Sequence, residues 1–132
     1  MARLAARRHT AGMKVFLVED CAMVRERLES LLAQMPGTTI VGRAAGAAAA
    51  VREILATRPD LVLLDVQLAQ GSGFDVLRAL QAQAPELPVV MLSNYCADPF
   101  RQIAERLGAR AFFDKAKEFE RVRGVVAAGV NQ

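Results

Sequence analysis

Two cysteines in 132 residues are too few for a disulfide scaffold, and nothing near Cys21 or Cys96 pairs them into a metal-binding motif. Both read as buried or half-buried free thiols in a reducing compartment. Long hydrophobic runs are lacking too. The apolar stretches fall far short of a membrane span, and the leader has no continuous apolar core of the secretory kind, so a cytoplasmic protein without membrane attachment is expected. The body of the chain also lacks an excess of charge of either sign. The formal charge is +3, from 17 basic and 14 acidic residues, yet Arg3, Arg7 and Arg8 are the only charged side chains before Met13, and setting them aside leaves 14 basic residues against 14 acidic. Direct nucleic-acid binding is therefore not expected, because such a surface gathers its basic residues on a folded face. Repeats and low-complexity linkers are missing as well. The reading is one domain with one core over residues 13–132, preceded by an N-terminal basic extension over 1–12.

What is present is a regular alternation. Lys14 to Val18 is a short apolar run ending in Glu19-Asp20, and Val24, Leu28, Leu31, Leu32 and Met35 then recur at helical spacing from Cys21 to Met35. Pro36-Gly37 ends that helix, Thr38 to Gly42 is β-branched enough for a second strand, and Ala44 to Thr57 reads as an alanine-rich helix with Val51, Ile54 and Leu55 facing inward. After Arg58-Pro59-Asp60 comes Leu61-Val62-Leu63-Leu64-Asp65, a run with the character of a strand buried on both faces. Ser72 is placed to cap a helix carrying Phe74, Leu77 and Leu80, and Val89 to Leu92 repeats the buried-strand pattern before Ser93. Asp98-Pro99 opens a fourth helix with a capping side chain before a first-turn proline, and Gly108 ends it. Arg110 to Asp114 is the last strand, with Lys115 at its end, and Phe119, Val122 and Val126 form the inner stripe of a final helix. Five strands alternating with five helices predict an α/β fold, a parallel sheet with helices on both faces.

In a parallel sheet all carboxyl ends lie on one edge, so Glu19, Asp20, Asp65, Ser93 and Lys115 are expected to converge there. Three neighbouring carboxylates repel one another unless a cation intervenes, and a hard divalent ion such as Mg2+ is the natural remedy. The lysine charge and the serine hydroxyl suit the oxygens of a phosphoryl group carried on a carboxylate.

Val18-Glu19-Asp20, Leu63-Leu64-Asp65, Met91-Leu92-Ser93 and Gly108-Ala109 through Phe112-Phe113-Asp114-Lys115 together resemble the receiver domain of two-component response regulators. The resemblance covers the chain from Lys14 to the last helix. It implies a flavodoxin-like, doubly wound five-stranded sheet in the order 2-1-3-4-5. By the same resemblance Asp65 is the phosphoacceptor, and Glu19, Asp20, Asp65 and the backbone carbonyl of Gln67 hold Mg2+. Ser93 is the switch hydroxyl and Lys115 the phosphoryl partner. Phe112, three residues before the lysine, reads either as a plain core aromatic or as the aromatic switch. Gly73 falls where the family usually has glycine. Ala69 and Ala116 stand where it commonly has proline, the second through a cis bond; a trans connection is expected before alanine. Asn94 replaces a residue that is often smaller.

The implied function is that of a phosphoacceptor, charged by a sensor histidine kinase or a phosphotransfer protein, not of an enzyme with turnover. An aspartyl-nucleophile phosphatase would need a second acid two residues after Asp65, where Gln67 stands. The alternative is a phosphorylation-independent binding module with the same fold. With Gln132 just past the last helix, the expectation is either a stand-alone receiver, whose output passes through an unknown protein partner, a relay to another carrier, or a homodimer, or a fragment of a longer regulator.

Overall fold

Successive residues of a strand face opposite sides of a sheet, and this alternation divides the core of the protein in two. The computed structural model describes residues 12–94 and 98–130. Its strands are β1 (Met13–Val18), β2 (Thr38–Ala44), β3 (Leu61–Asp65), β4 (Val89–Ser93) and β5 (Ala111–Asp114). The helices among the described residues are α1 (Ala22–Ala33), α2 (Ala47–Thr57), α3 (Gly73–Gln83), α4 (Asp98–Arg106) and α5 (Arg121–Val130). All strand pairs are parallel, in the order β2-β1-β3-β4-β5, as the sequence implies. Val15, Leu17, Leu63, Val90, Leu92 and Phe113 face α1 and α5, where Leu28, Leu32, Val122 and Val126 close one core layer. Phe16, Val18, Val62, Leu64, Met91 and Phe112 face the other way, onto Ile54, Val76, Leu77, Leu80 and Ala104 of α2, α3 and α4. β3 and β4 are buried along their whole length, which is why their sequences read as continuous apolar runs and not as alternating ones.

Several boundaries differ from the sequence reading. Ala44 ends β2 and does not begin a helix: it pairs with Val18, and its carbonyl accepts from the Glu19 amide at 3.0 Å. The ladder bond outweighs alanine's helical preference, so α2 starts at Ala47. Phe119 is buried against Val122 and Val126 but lies two residues before α5 begins. Cys21, read as buried or half-buried, is exposed, because it precedes α1 at the rim of the sheet edge and has extended backbone geometry. Ser72 does cap α3, accepting from the Phe74 amide at 2.9 Å, while the Asp75 side chain returns a bond to the Ser72 amide at 3.2 Å. Gly12 is buried and has positive φ, with the Gly37 carbonyl where a Cβ would stand. Residues 1–11 of the expected extension, Cys96 and the capping side chain of Asp98 lie outside what is described. No helix among the described residues is long and apolar enough to cross a membrane.

Candidate functional site

The carboxyl edge of the sheet gathers the expected residues because each strand stops there. β1 delivers Glu19 and Asp20, β3 Asp65, β4 Ser93 and β5 Lys115. Glu19, Asp65, Ser93 and Lys115 are buried, at 1%, 5%, 1% and 5% exposure, whereas Asp20 is exposed at the rim. Lys115 Nζ lies 3.0 Å from Asp65 Oδ2 and 3.0 Å from Glu19 Oε1, and donates to Glu19 Oε2 at 3.2 Å. One ammonium thus bridges two buried carboxylates. Asp65 Oδ1 accepts from the Gln67 amide at 3.3 Å, and Glu19 Oε2 from the Cys21 amide at 3.1 Å. Ser93 pairs with Asp114 in the β4–β5 register, and its carbonyl accepts from the Lys115 amide at 2.9 Å, so hydroxyl and lysine are fixed by the same ladder.

Burial and then the charge of Asp65 push the Glu19 carboxyl up from 4.5 to about 6, although Lys115 and the Cys21 amide pull the other way. Burial alone would lower the Lys115 ammonium; the bonds and charges of Asp65 and Glu19 outweigh it and hold the group above its ordinary value. The pocket is therefore short of positive charge: one lysine cannot neutralise two buried carboxylates and Asp20 beside them. Oxygens of Glu19, Asp20 and Asp65 lie within 4.8 Å of one another. Glu19 Oε1 is buried within ion-pair distance of the lysine but makes no hydrogen bond. An all-carboxylate donor set with an unsatisfied buried oxygen fits a hard divalent cation, and Mg2+ is the ion it suits.

The loop after Asp65 is held by the backbone. Val66 N donates to Leu92 O at 3.1 Å, Gly73 N to Val66 O at 2.7 Å, and Ala69 N to Ala45 O at 3.1 Å. A Cβ on Gly73 would collide with the Asp65 carbonyl oxygen, which gives that glycine a steric reason at the site. The two alanines that stand in place of proline both use amides that proline lacks: Ala69 bonds Ala45, and Ala116 N donates to Asp114 Oδ1 at 2.7 Å. The described residues contain no cis peptide, so the connection after Lys115 is trans, as expected.

Phe112 is buried in the layer facing α4. Sequence reading missed what surrounds it. Arg101 of α4 lies over the ring with Cζ 5.0 Å from its centroid, donates from Nη1 to the Phe112 carbonyl at 2.8 Å, and stands 3.9 Å from Glu118 Oε1. No motif signals such a contact, because its members come from three separate elements.

The family model of the response regulator receiver domain matches residues 15–127, and the chain belongs to that family. As a class, receiver domains accept a phosphoryl group and partner a histidine kinase or a phosphotransfer protein; the acidic cluster is placed as their Mg2+ and phosphorylation site. Among curated relatives, the DNA-binding transcriptional activator DevR/DosR of Mycobacterium tuberculosis is 36% identical over 121 residues, covering 91% of this chain and 56% of the relative. The chain thus spans about half the length of that relative, and a smaller share of a methylesterase/glutaminase of Anaeromyxobacter dehalogenans, which is 34% identical with 80% of this chain and 32% of the relative covered. Among solved structures, a LuxR-family response regulator from Aurantimonas sp. superposes with a TM-score of 0.79 at 25% identity, covering 89% of this chain and 86% of the other. A chain of the CheX–CheY–BeF3–Mg2+ complex from Borrelia burgdorferi, at 24% identity and a TM-score of 0.76 over 86% of this chain and 88% of the other, shares the fold.

Proposed function

We propose that Asp65 is the residue that accepts the phosphoryl group, with Lys115 and Ser93 receiving the transferred oxygens. The observation that carries this is the Lys115 bridge, 3.0 Å from Asp65 Oδ2, in a pocket whose remaining charge is acidic. Lys115 holds the carboxylate with one oxygen committed to the ammonium and the other to the Gln67 amide, which fixes its orientation toward a donor. An Asp65 oxygen attacks phosphorus as the P–N bond of a phosphohistidine breaks, and the departing imidazole takes a proton from solvent. The lysine then pairs with a phosphoryl oxygen in place of the carboxylate, and the Ser93 hydroxyl donates to another. Glu19, Asp20, Asp65 and the Gln67 carbonyl would hold Mg2+, which would supply positive charge for the carboxylates and the phosphoryl oxygens. Gln67 offers no proton to a leaving group, which favours an acceptor over a hydrolase with turnover.

The donor is a sensor histidine kinase or phosphotransfer protein, and the readout is a change of the face formed by α4, β5 and α5, passed to a protein partner or a second copy of the chain. The test is to incubate the protein with Mg2+ and a small phosphodonor and measure its intact mass. A gain of one phosphoryl group, lost in Asp65→Asn and in chelator, is expected. Absence of any gain at saturating Mg2+ would leave a phosphorylation-independent binding module as the better reading.

A further inference from the structure

As an aromatic switch Phe112 would respond to the phosphoryl group, yet the residue is already buried, at 5% exposure, opposite Met91 on the neighbouring strand. Beside the apolar layer it belongs to, one guanidinium makes two contacts with it. Arg101 covers the ring face with Cζ 5.0 Å from the centroid, and the same group donates to the carbonyl of the same residue at 2.8 Å. Its Nη2 stands 3.9 Å from Glu118 Oε1, an oxygen that also accepts from the Asp114 amide at 2.9 Å. One planar fork on α4 therefore grips the ring and backbone of Phe112, while its anchor is tied to β5 two residues further on. A lysine cannot reproduce this, since a point charge on a flexible stem lacks the flat face and the divergent donors. For the ring to turn outward alone, it would have to leave the guanidinium that its own carbonyl still holds.

We propose that Arg101 is a positioning residue that locks the Phe112 ring to α4, keeping it buried before any phosphoryl group is present, so that α4 and β5 shift together and the ring does not flip alone. The lock rests on these contacts; its part in signalling rests on the acceptor reading above. The protein has six phenylalanines and no tryptophan, so uniform labelling with fluorophenylalanine yields six fluorine resonances, of which Phe112 is assigned by its loss in Phe112→Leu. In chelator, without phosphodonor, the wild-type Phe112 resonance is expected to be sharp and insensitive to exchange of H2O for D2O. Arg101→Ala shifts and broadens it and makes it solvent-sensitive, leaving the other resonances in place. Arg101→Lys behaves like alanine, whereas Glu118→Gln stays close to wild type. An unchanged Phe112 resonance in Arg101→Ala, or full rescue by lysine, overturns the proposal. If Arg101→Ala fails to fold, Arg101→Met, which covers the ring without bonding its carbonyl, and Arg101→Lys are read in its place. Since the resting spectrum needs neither metal nor phosphodonor, failure of phosphorylation at Asp65 and failure of the lock are separate outcomes.

Discussion

At the carboxyl edge of the sheet one lysine bridges two carboxylates that are almost wholly buried; on α3 an arginine and an aspartate meet at nearly the same distance in water. Lys115 and Asp65 are 3.0 Å apart with side chains 6% exposed, while Arg78 and Asp75 are 3.3 Å apart with side chains 61% and 59% exposed. Distance alone would rank them together. Their surroundings separate them. In the buried site each charge has given up water and depends on its partner, so removing one leaves the others uncompensated. At the surface water replaces whatever is removed, and the pair holds little that solvent cannot supply. The buried site is consequently where protonation, metal and phosphoryl group can each change the energy of the fold.

The largest effect should follow from Lys115→Met. With both carboxylates left without their cation, the metal-free protein should lose about 3 to 5 kcal/mol at neutral pH. Urea unfolding in chelator measures this, and Mg2+ should return part of the loss by binding only the folded chain. A loss under about 1 kcal/mol would mean that water, not the lysine, compensates the pocket, and the contrast with α3 would collapse.

Next in size is a pH effect at Glu19. Its carboxyl is raised from 4.5 to about 6, so the folded metal-free protein holds the proton more tightly than the unfolded chain does. The stabilisation is fully present below pH 4.5 and is lost as pH rises through about 6. The contribution at stake is about 2 kcal/mol, at about 1.4 kcal/mol per pKa unit. Stability in chelator, measured by urea unfolding from well below the lower of these values to well above the higher, should fall by that contribution relative to Glu19→Gln, in which this part of the slope disappears. An equal slope in both proteins would place the titration elsewhere.

Much of this contrast was legible in the sequence, for a physical reason. A strand buried on both faces must be apolar until it reaches an edge, so the polar residue that ends each run marks where it emerges, and parallel topology brings those ends together. Glu19, Asp65, Ser93 and Lys115 were found that way. Helix starts were less legible. Ala44 has helical propensity, but a backbone bond to Glu19 and pairing with Val18 keep it in β2. Cys21 was assigned by residue type to the interior, although its position before α1 exposes it. The Arg101, Phe112 and Glu118 contacts had no signal at all, because they join α4, β5 and the turn before α5 through side chains with no shared spacing.

The smallest expected effect lies at Asp75, where a single side chain makes both kinds of contact. One carboxylate oxygen accepts from the Ser72 amide at 3.2 Å and completes the cap of α3, while the other meets Arg78 Nη1 at 3.3 Å. The amide is an end group of the helix with no intrahelical partner, whereas the guanidinium is freely hydrated when released. Asp75→Ala, which breaks both contacts, should cost about 1 kcal/mol, in the range of lost caps. Arg78→Ala, which breaks only the ion pair, should change stability by less than about 0.5 kcal/mol and still less at high salt. Introducing Arg78→Ala into the Asp75→Ala background should then cost nothing further. If Arg78→Ala proved as costly as Asp75→Ala, exposure would not be what divides the two regions, and the energetic distinction drawn for Lys115 would need another cause.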